Sequence, residues 1–253
     1  LQDISRVWRE ERTRVVDSAR TLTARLREAT RPEAPADGGV HIAPPAALDA
    51  GLAEFVKVYD GRYGGFGAAP KFPRPAELLF LLRHAALSGN AEGLDMALET
   101  LRAMATGGLR DHVGGGFHRY SVDAFWRVPH FEKMLYDQAQ LVLALLEAAQ
   151  ASGDPFYASV AEDTLGYVAR ELTAPDGGFL SAEDADSIPH DEADHPHPRK
   201  LEGAYYLWSV EEVTEAVGEA LAPLALARFG VLPEGNAQDP LGEFRGRNVL
   251  YVA

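Results

Sequence analysis

Three times along this chain a helix-forming stretch runs into a glycine-rich turn that ends in Gly-Gly-Phe, with the phenylalanine at positions 66, 117 and 179. The loops read DGRYGGFGAAPKFP, RDHVGGGFHRYSVD and APDGGFLSAEDAD, and their phenylalanines stand 51 and 62 residues apart. A self-similar loop at such spacing means that one supersecondary unit is repeated. Glycine supplies the backbone angles that end a helix and turn the chain, and the phenylalanine behind it can plug a core. The repeat therefore predicts helical hairpins in series, their glycine-rich loops gathered on one side and lining the funnel of a curved or closed α/α toroid.

The segments between the loops fit that reading. Ala and Leu, strong helix formers, dominate predicted helices over about 45–59, 75–88, 92–106, 132–151, 155–172 and 209–228. Ser209 with Glu212 three residues on forms a capping box for the last, which is expected to break near Pro223. Six helices make about half of a twelve-helix ring, so the expected fold is mainly α, with 45–253 as the first half of an (α/α)6 toroid. Short β-hairpins are expected in the loops, GFHRY pairing with AFWRV and GGFLSA with AYYLW. Upstream, Ile4, Trp8, Val15, Ala19, Leu22 and Leu26 fall on one face of a single helix over 2–29. An aperiodic stretch rich in Pro, Gly, Ala and Asp over 30–44 reads as a linker.

Composition excludes several chemistries. The chain has no cysteine, which removes disulfides, thiolate metal sites and thiol catalysis from this segment. A formal charge of −14 argues against a nucleic-acid binder. The longest apolar run, LVLALLEAA from Leu141, is too short to span a bilayer, so a soluble, cytoplasmic protein is expected.

Candidate chemistry concentrates in the second loop and the helix after it. Pro129 suits a first helical turn, which would place His130 at a helix N-terminus, where the macrodipole favours neutral imidazole and a general-base role. Glu132 and Tyr136 would then share one helical face, and Lys133 would form a surface pair with Asp137. On the preceding hairpin, alternation sends His118 and Tyr120 to one side and Arg119 to the other. Asp111 calls for a partner, with Arg119 or Arg127 the expected ones. In the third loop Glu183, Asp184 and Asp186 could supply acid and base, and Glu202 lies just beyond. His190, His195 and His197 lie in a Pro-rich excursion that is not read as a metal site, and no cofactor is expected. Phe66, Trp126, Phe117, Tyr205, Tyr206 and Trp208 offer faces on which sugar rings can pack, or else plug the core.

The blocks GGFGAAPKFPRP, GGGFHRYSVDAFWRVPHFEKMLYDQAQL, GGFLSAEDADS, EGAYYLW and the closing GRNVLY resemble the middle portion of the YyaL / spermatogenesis-associated protein 20 family. The resemblance covers nearly the whole chain, with one departure at Gln138, where the family usually has Asn. It implies an N-terminal thioredoxin-like domain with a Cys-bearing motif, followed by a toroid similar to six-hairpin glycosidases and N-acylglucosamine 2-epimerases. On that basis residues 1–29 correspond to the last helix of an otherwise missing thioredoxin-like domain, and the later half of the ring is missing too. The chain is thus expected to need the rest of a longer protein, or self-association.

Two functions follow as expectations. One is a carbohydrate-active enzyme working in the funnel. Its proton transfer would fall to His130 or His118, or its hydrolysis to a pair from Asp184, Asp186, Glu132 and Glu202. Arg119, Tyr120, Trp126, Tyr136, Glu202 and Phe66 would bind substrate. The other is a non-catalytic binding or redox-partner module serving a thioredoxin-like domain.

Overall fold

The computed structural model describes residues 2–30, 45–189, 195–237, 242 and 244–253. The chain divides into two compact units, Leu1–Ala46 and Ala47–Ala253. In the first, α1 (Gln2–Glu10) and α2 (Arg12–Ala29) replace the single expected helix. Glu11 lies between them with non-helical backbone, φ −124° and ψ 31°. The apolar face read from the sequence is there but stays open, since Ile4, Trp8, Leu22 and Leu26 are all exposed. The expected linker lies, apart from Thr30, outside the described residues.

The second unit is built on α3 (Pro45–Val58), α4 (Pro75–Ser88), α5 (Ala91–Thr106), α6 (Leu135–Ser152) and α7 (Pro155–Glu171), followed by α8 (Val210–Val217) and α9 (Ala222–Arg228). Helix α4 packs on α5 and α6, and α6 packs on α7. Leu78, Leu81 and Leu82 of α4 meet Leu101 and Met104 of α5, Leu141 and Leu145 of α6, and Tyr157 and Val160 of α7 in one core. Burying a side chain of this kind stabilises by about 1.5–3 kcal/mol.

The hairpins repeat at both ends. At one end α4 passes to α5 through Ser88-Gly89-Asn90, and α6 passes to α7 through Ser152-Gly153-Asp154. Both glycines are left-handed, φ 74° and 71°, and close the preceding helix. Asn90 and Asp154 then cap the next one, accepting from the amides of Glu92 and Gly93 and of Phe156. At the other end lie the Gly-Gly-Phe loops, which share one backbone pattern. The amide of Asp60 donates to the Gly65 carbonyl, that of Asp111 to Gly116, and that of Ala174 to Gly178. An isolated bridge then joins each phenylalanine to the chain just past its helix, in Tyr59 with Phe66, Arg110 with Phe117, and Thr173 with Phe179. The fold is mainly α, a serial array of helical hairpins with short β-pairs in the loops; no closed ring forms among the described residues.

Three two-stranded ladders decorate those loops. Strand β1 (Tyr120–Ser121) pairs with β2 (Pro129–His130), β3 (Lys133–Met134) with β4 (Ala182–Glu183), and β5 (Asp186–Ser187) with β6 (Leu201–Glu202). The expected pairings are therefore displaced. AFWRV supplies the turn that leads into the returning strand rather than the strand itself, and FLSAE pairs with the chain before α6 rather than with AYYLW, which lies in a turn. The helix expected from 132 begins at Leu135 for the same reason: residues 129–134 are held extended, with β1 on one part and β4 on the next. Pro129 is a strand residue here, not a first-turn one. The last expected helix is two, separated by 218–221 ahead of Pro223, which opens α9; the Ser209–Glu212 capping box is present in both halves.

Candidate functional site

Residues 129–134 alternate as an extended segment must. Phe131 and Lys133 point inward and are buried, while His130, Glu132 and Met134 share the partly open face. On that face two ion-pair contacts stand two residues apart. His130 donates from Nδ1 to Glu202 Oε1 at 2.6 Å, and the Phe131 amide approaches the same oxygen at 3.4 Å. Arg119 donates from a terminal guanidinium nitrogen to Glu132 Oε2 at 2.7 Å. Both pairs are part-exposed, so both can meet a ligand.

Each partner is set in place by local structure. Glu202 is carried on β6 opposite Asp186. Gly203, at φ 70°, follows it, and a Cβ there would lie 2.5 Å from the Phe131 ring, so only glycine lets the strand come this close. Tyr120, opposite His130 in the ladder, stacks on the imidazole with centroids 5.0 Å apart, and Phe72 stacks on Tyr120 at 4.7 Å. The Arg119 guanidinium lies 6.0 Å from the centre of the Tyr136 ring.

Behind this face lies a buried lysine. Lys133 is bound to Asp111 Oδ2 at 2.8 Å and to the Gly115 carbonyl at 2.9 Å, with the Tyr167 and Tyr206 rings 4.3 and 4.8 Å from its ammonium group. Both tyrosine hydroxyls donate to Glu183, at 2.6 and 2.9 Å. Burial first, then the Glu183 carboxylate, pushes both phenols well above their ordinary range. Burial would raise Asp111, but the Lys133 charge and hydrogen bond prevail and hold it below the usual carboxylate range. The partner of Asp111 is thus Lys133, neither Arg119 nor Arg127, and Lys133 makes no surface pair with Asp137.

The first loop repeats the device. Lys71, equally buried, binds Asp60 Oδ2 at 2.5 Å and the Gly64 carbonyl at 2.8 Å, with the Tyr63 and Trp126 rings 5.9 and 5.7 Å from its ammonium group. Its backbone bridges to Ser121 as that of Lys133 pairs with Glu183.

The structure brings His130, Glu132, Arg119, Tyr120, Tyr136 and Glu202 to one region of the hairpin and its flanks, and separates the rest. His118 is buried: its Nδ1 donates to the Phe131 carbonyl at 3.0 Å, and Phe131 and Tyr206 meet its ring edge-on. Burial, then the nearby Lys133 charge, pushes its pKa far down and keeps it neutral. Trp126 and Phe66 are core plugs, the indole donating to the Tyr63 carbonyl at 3.1 Å. Asp184 is exposed, 3.4 Å from Lys200. Asp186 lies beside Glu202 through the backbone ladder. His195 and His197 are exposed, and His190 lies outside the described residues. Among the described residues no three His, Asp or Glu side chains are placed to hold a metal, and no helix is long and apolar enough to cross a membrane.

Sequence reasoning missed the Lys71 and Lys133 clamps. A signal existed for the clamps: each lysine follows its loop at PKFP or HFEKM, each loop begins with an aspartate, and a charge placed among Phe, Pro and Met is badly placed for solvent.

No protein-family model matches the chain. It is 44% identical to human spermatogenesis-associated protein 20 over 271 aligned residues, covering 100% of this chain and 33% of that protein. The mouse protein of the same name is 49% identical over 210 residues, 77% of this chain and 26% of that one. The chain thus spans about a third or less of the length of these curated relatives. Among solved structures, a sugar epimerase from a ruminal bacterium superposes with a TM-score of 0.50 at 19% identity, over 55% of this chain and 40% of that one, a likeness of fold. At 44% identity along its whole length, the chain belongs to the spermatogenesis-associated protein 20 (YyaL) family and corresponds to one part of its longer members.

Proposed function

We propose that the open face of the 118–132 hairpin binds a carbohydrate and moves a proton beside its carbonyl group, on a scaffold that is part of an (α/α)6 toroid. The observation that carries this reading is the His130–Glu202 contact at 2.6 Å. A carboxylate on Nδ1–H fixes the tautomer, so that Nε2 bears the lone pair, and it stabilises the imidazolium formed when Nε2 takes a proton. Nε2 accepts no hydrogen bond from the described residues.

In this reading Nε2 removes the proton from the carbon next to the sugar carbonyl. The electron pair moves into an enediolate, whose oxygen is stabilised by the Arg119 guanidinium, and return of the proton to that carbon or to its neighbour gives an epimer or an isomer. Tyr120 and Tyr136 offer ring faces to the sugar. The fold likeness to a sugar epimerase supports the scaffold assignment. Proton transfer is favoured over hydrolysis because Asp184 is exposed beside Lys200, while Glu132 and Glu202 are already engaged by Arg119 and His130. The remainder of the ring would come from the longer protein or from a second copy.

The test is incubation of the protein with glucose, mannose, N-acetylglucosamine and cellobiose in D₂O, following exchange at the carbon beside the carbonyl by NMR. Exchange is expected with at least one sugar, reduced about 100-fold or more by His130→Ala and about 10- to 100-fold by Glu202→Gln. Absence of exchange with every sugar would contradict the reading; hydrolysis without exchange would replace it with a carboxylate mechanism.

A further inference from the structure

Helix α5 presents Glu99, Arg102, Ala103 and Thr106 on one face, and that face forms a wall of an open cleft of about 520 Å³. The first loop brings Arg62 and Tyr63 to the cleft, and the turn between β1 and β2 brings Phe125 and Arg127. Both segments are pinned by an aspartate that accepts backbone amides. Asp60 Oδ1 accepts from Arg62 and Tyr63 at 3.0 and 3.2 Å, and the Asp123 carboxylate from Phe125, Arg127 and Val128 at 2.8, 3.1 and 2.7 Å. Trp126 holds a left-handed φ of 61°, a strained conformation for a bulky residue. Its indole plugs the core while Phe125 and Arg127, on either side, line the cleft. His130, Glu132, Arg119 and Glu202 do not line it.

The protein carries a formal charge of −14, yet three arginines line this cleft against one carboxylate, that of Glu99. Glu99 accepts from the Tyr59 hydroxyl at 2.5 Å, and Arg102 is paired with Asp154, also at 2.5 Å. Arg62 and Arg127 differ. Among the described residues neither guanidinium has a carboxylate partner or donates a hydrogen bond; each lies over an aromatic ring, Arg62 4.9 Å from the centre of Tyr63 and Arg127 3.0 Å from that of Tyr251. A ring covers one face of a guanidinium and leaves the fork of N–H donors along its edge.

We propose that this cleft binds the phosphate group of a small phosphorylated molecule or the free ion. Arg62 and Arg127 supply the donors, and Tyr63 and Phe125, their rings 5.7 Å apart, form an apolar wall beside them. Phosphate is favoured over carboxylate because its three outer oxygens can serve two guanidinium forks at once, whereas one fork fills a carboxylate. The cleft lies within the about 300–1,000 Å³ of small-molecule sites. The proposal is independent of the carbohydrate reading.

The test titrates inorganic phosphate, glycerol 3-phosphate and citrate calorimetrically into the protein at constant ionic strength and about pH 7.5, where a phosphate is mostly dianionic. The same titrations are run on Arg62→Gln, on Arg127→Gln, and on Arg83→Gln, which removes an arginine outside the cleft. At least one of the two phosphates is expected to bind the wild type and Arg83→Gln alike, and to bind Arg62→Gln and Arg127→Gln each about 10-fold or more weakly. Tighter binding of glycerol 3-phosphate would assign the cleft to phosphate esters, and equal binding to the free ion; both support the proposal. Arg62 is exposed, so Arg62→Gln should melt with the wild type and decides the matter if Arg127→Gln melts lower. No saturable binding of either phosphate by the wild type, undiminished binding by Arg62→Gln, or an equal loss in Arg83→Gln would overturn the proposal. Citrate binding more tightly than both phosphates would overturn it in favour of a carboxylate ligand.

Discussion

The first two Gly-Gly-Phe loops and the third begin from nearly the same sequence and end in different states. Phe66 and Phe117 are 5% and 1% exposed, whereas Phe179 is 67% exposed. The turn hydrogen bonds are shared, so the glycines alone do not decide burial. What differs is the residue that opens the loop and the lysine that answers it. Asp60 and Asp111 each bind a buried lysine that also reaches a loop carbonyl, and Ala174 stands at the corresponding place in the third loop. A Gly-Gly-Phe turn thus specifies a backbone path, while the Asp–Lys clamp, roofed by two aromatic rings, ties the loop to the strand that follows. In the second loop the same clamp seats β3, and so sets which side chains of 129–134 face outward.

Breaking the clamp should have the largest effect. Lys133→Met leaves Asp111 buried without its cation and is expected to destabilise by about 3–5 kcal/mol in urea unfolding. Lys71→Met should cost less, because Asp60 is more exposed than Asp111 and water can replace part of the loss. Equal losses would show that the two clamps do not differ in burial as described. Phe117→Ala, which empties a core position, should cost about 3–5 kcal/mol by the same measurement.

Acid should reach the clamped loops next. Burial raises both aspartates, but the lysines outweigh it, and both carboxyls lie below their ordinary value. A carboxylate lowered on folding adds stability that is present above its unfolded value of about 3.9 and is lost as pH falls through the folded one. Melting temperature should therefore drop below about pH 4, and Asp111→Asn should flatten that limb while lowering stability at neutral pH. Asp137 has the opposite sign: raised to about 6, it favours the fold below its unfolded value and loses that contribution as pH rises through 6. The smallest effect belongs to the third loop, where Phe179→Ala should change stability by about 0.5 kcal/mol or less. A loss like that of Phe117→Ala would show that Phe179 is buried in solution.

The repeat, the helices and the Ser209–Glu212 box were legible because each is local: loop spacing, Ala/Leu runs and a cap read within a few residues. The extended segment 129–134 was not, because Pro129 suits a first turn and a strand equally, and the partners that hold it extended are elsewhere, β4 among them some 50 residues on. Buried lysines were missed because lysine is almost always exposed, and only the tertiary structure supplies Asp111, Gly115 and two tyrosines around Lys133. Of the site, the crowded block 118–136 was recognisable by composition. That His130 meets Glu202, 72 residues away, was not. Nor could the sequence show that His118 and His130, both in that block, would be one buried and one part-exposed imidazole.

The arrangement stands or falls on the tautomer of His130. In ¹⁵N-labelled protein at pH 8, long-range ¹H–¹⁵N correlations should show His130 with the proton on Nδ1 and a bare Nε2, and Glu202→Gln should weaken that preference. A His130 ring protonated on Nε2, or one indifferent to Glu202, would contradict the account.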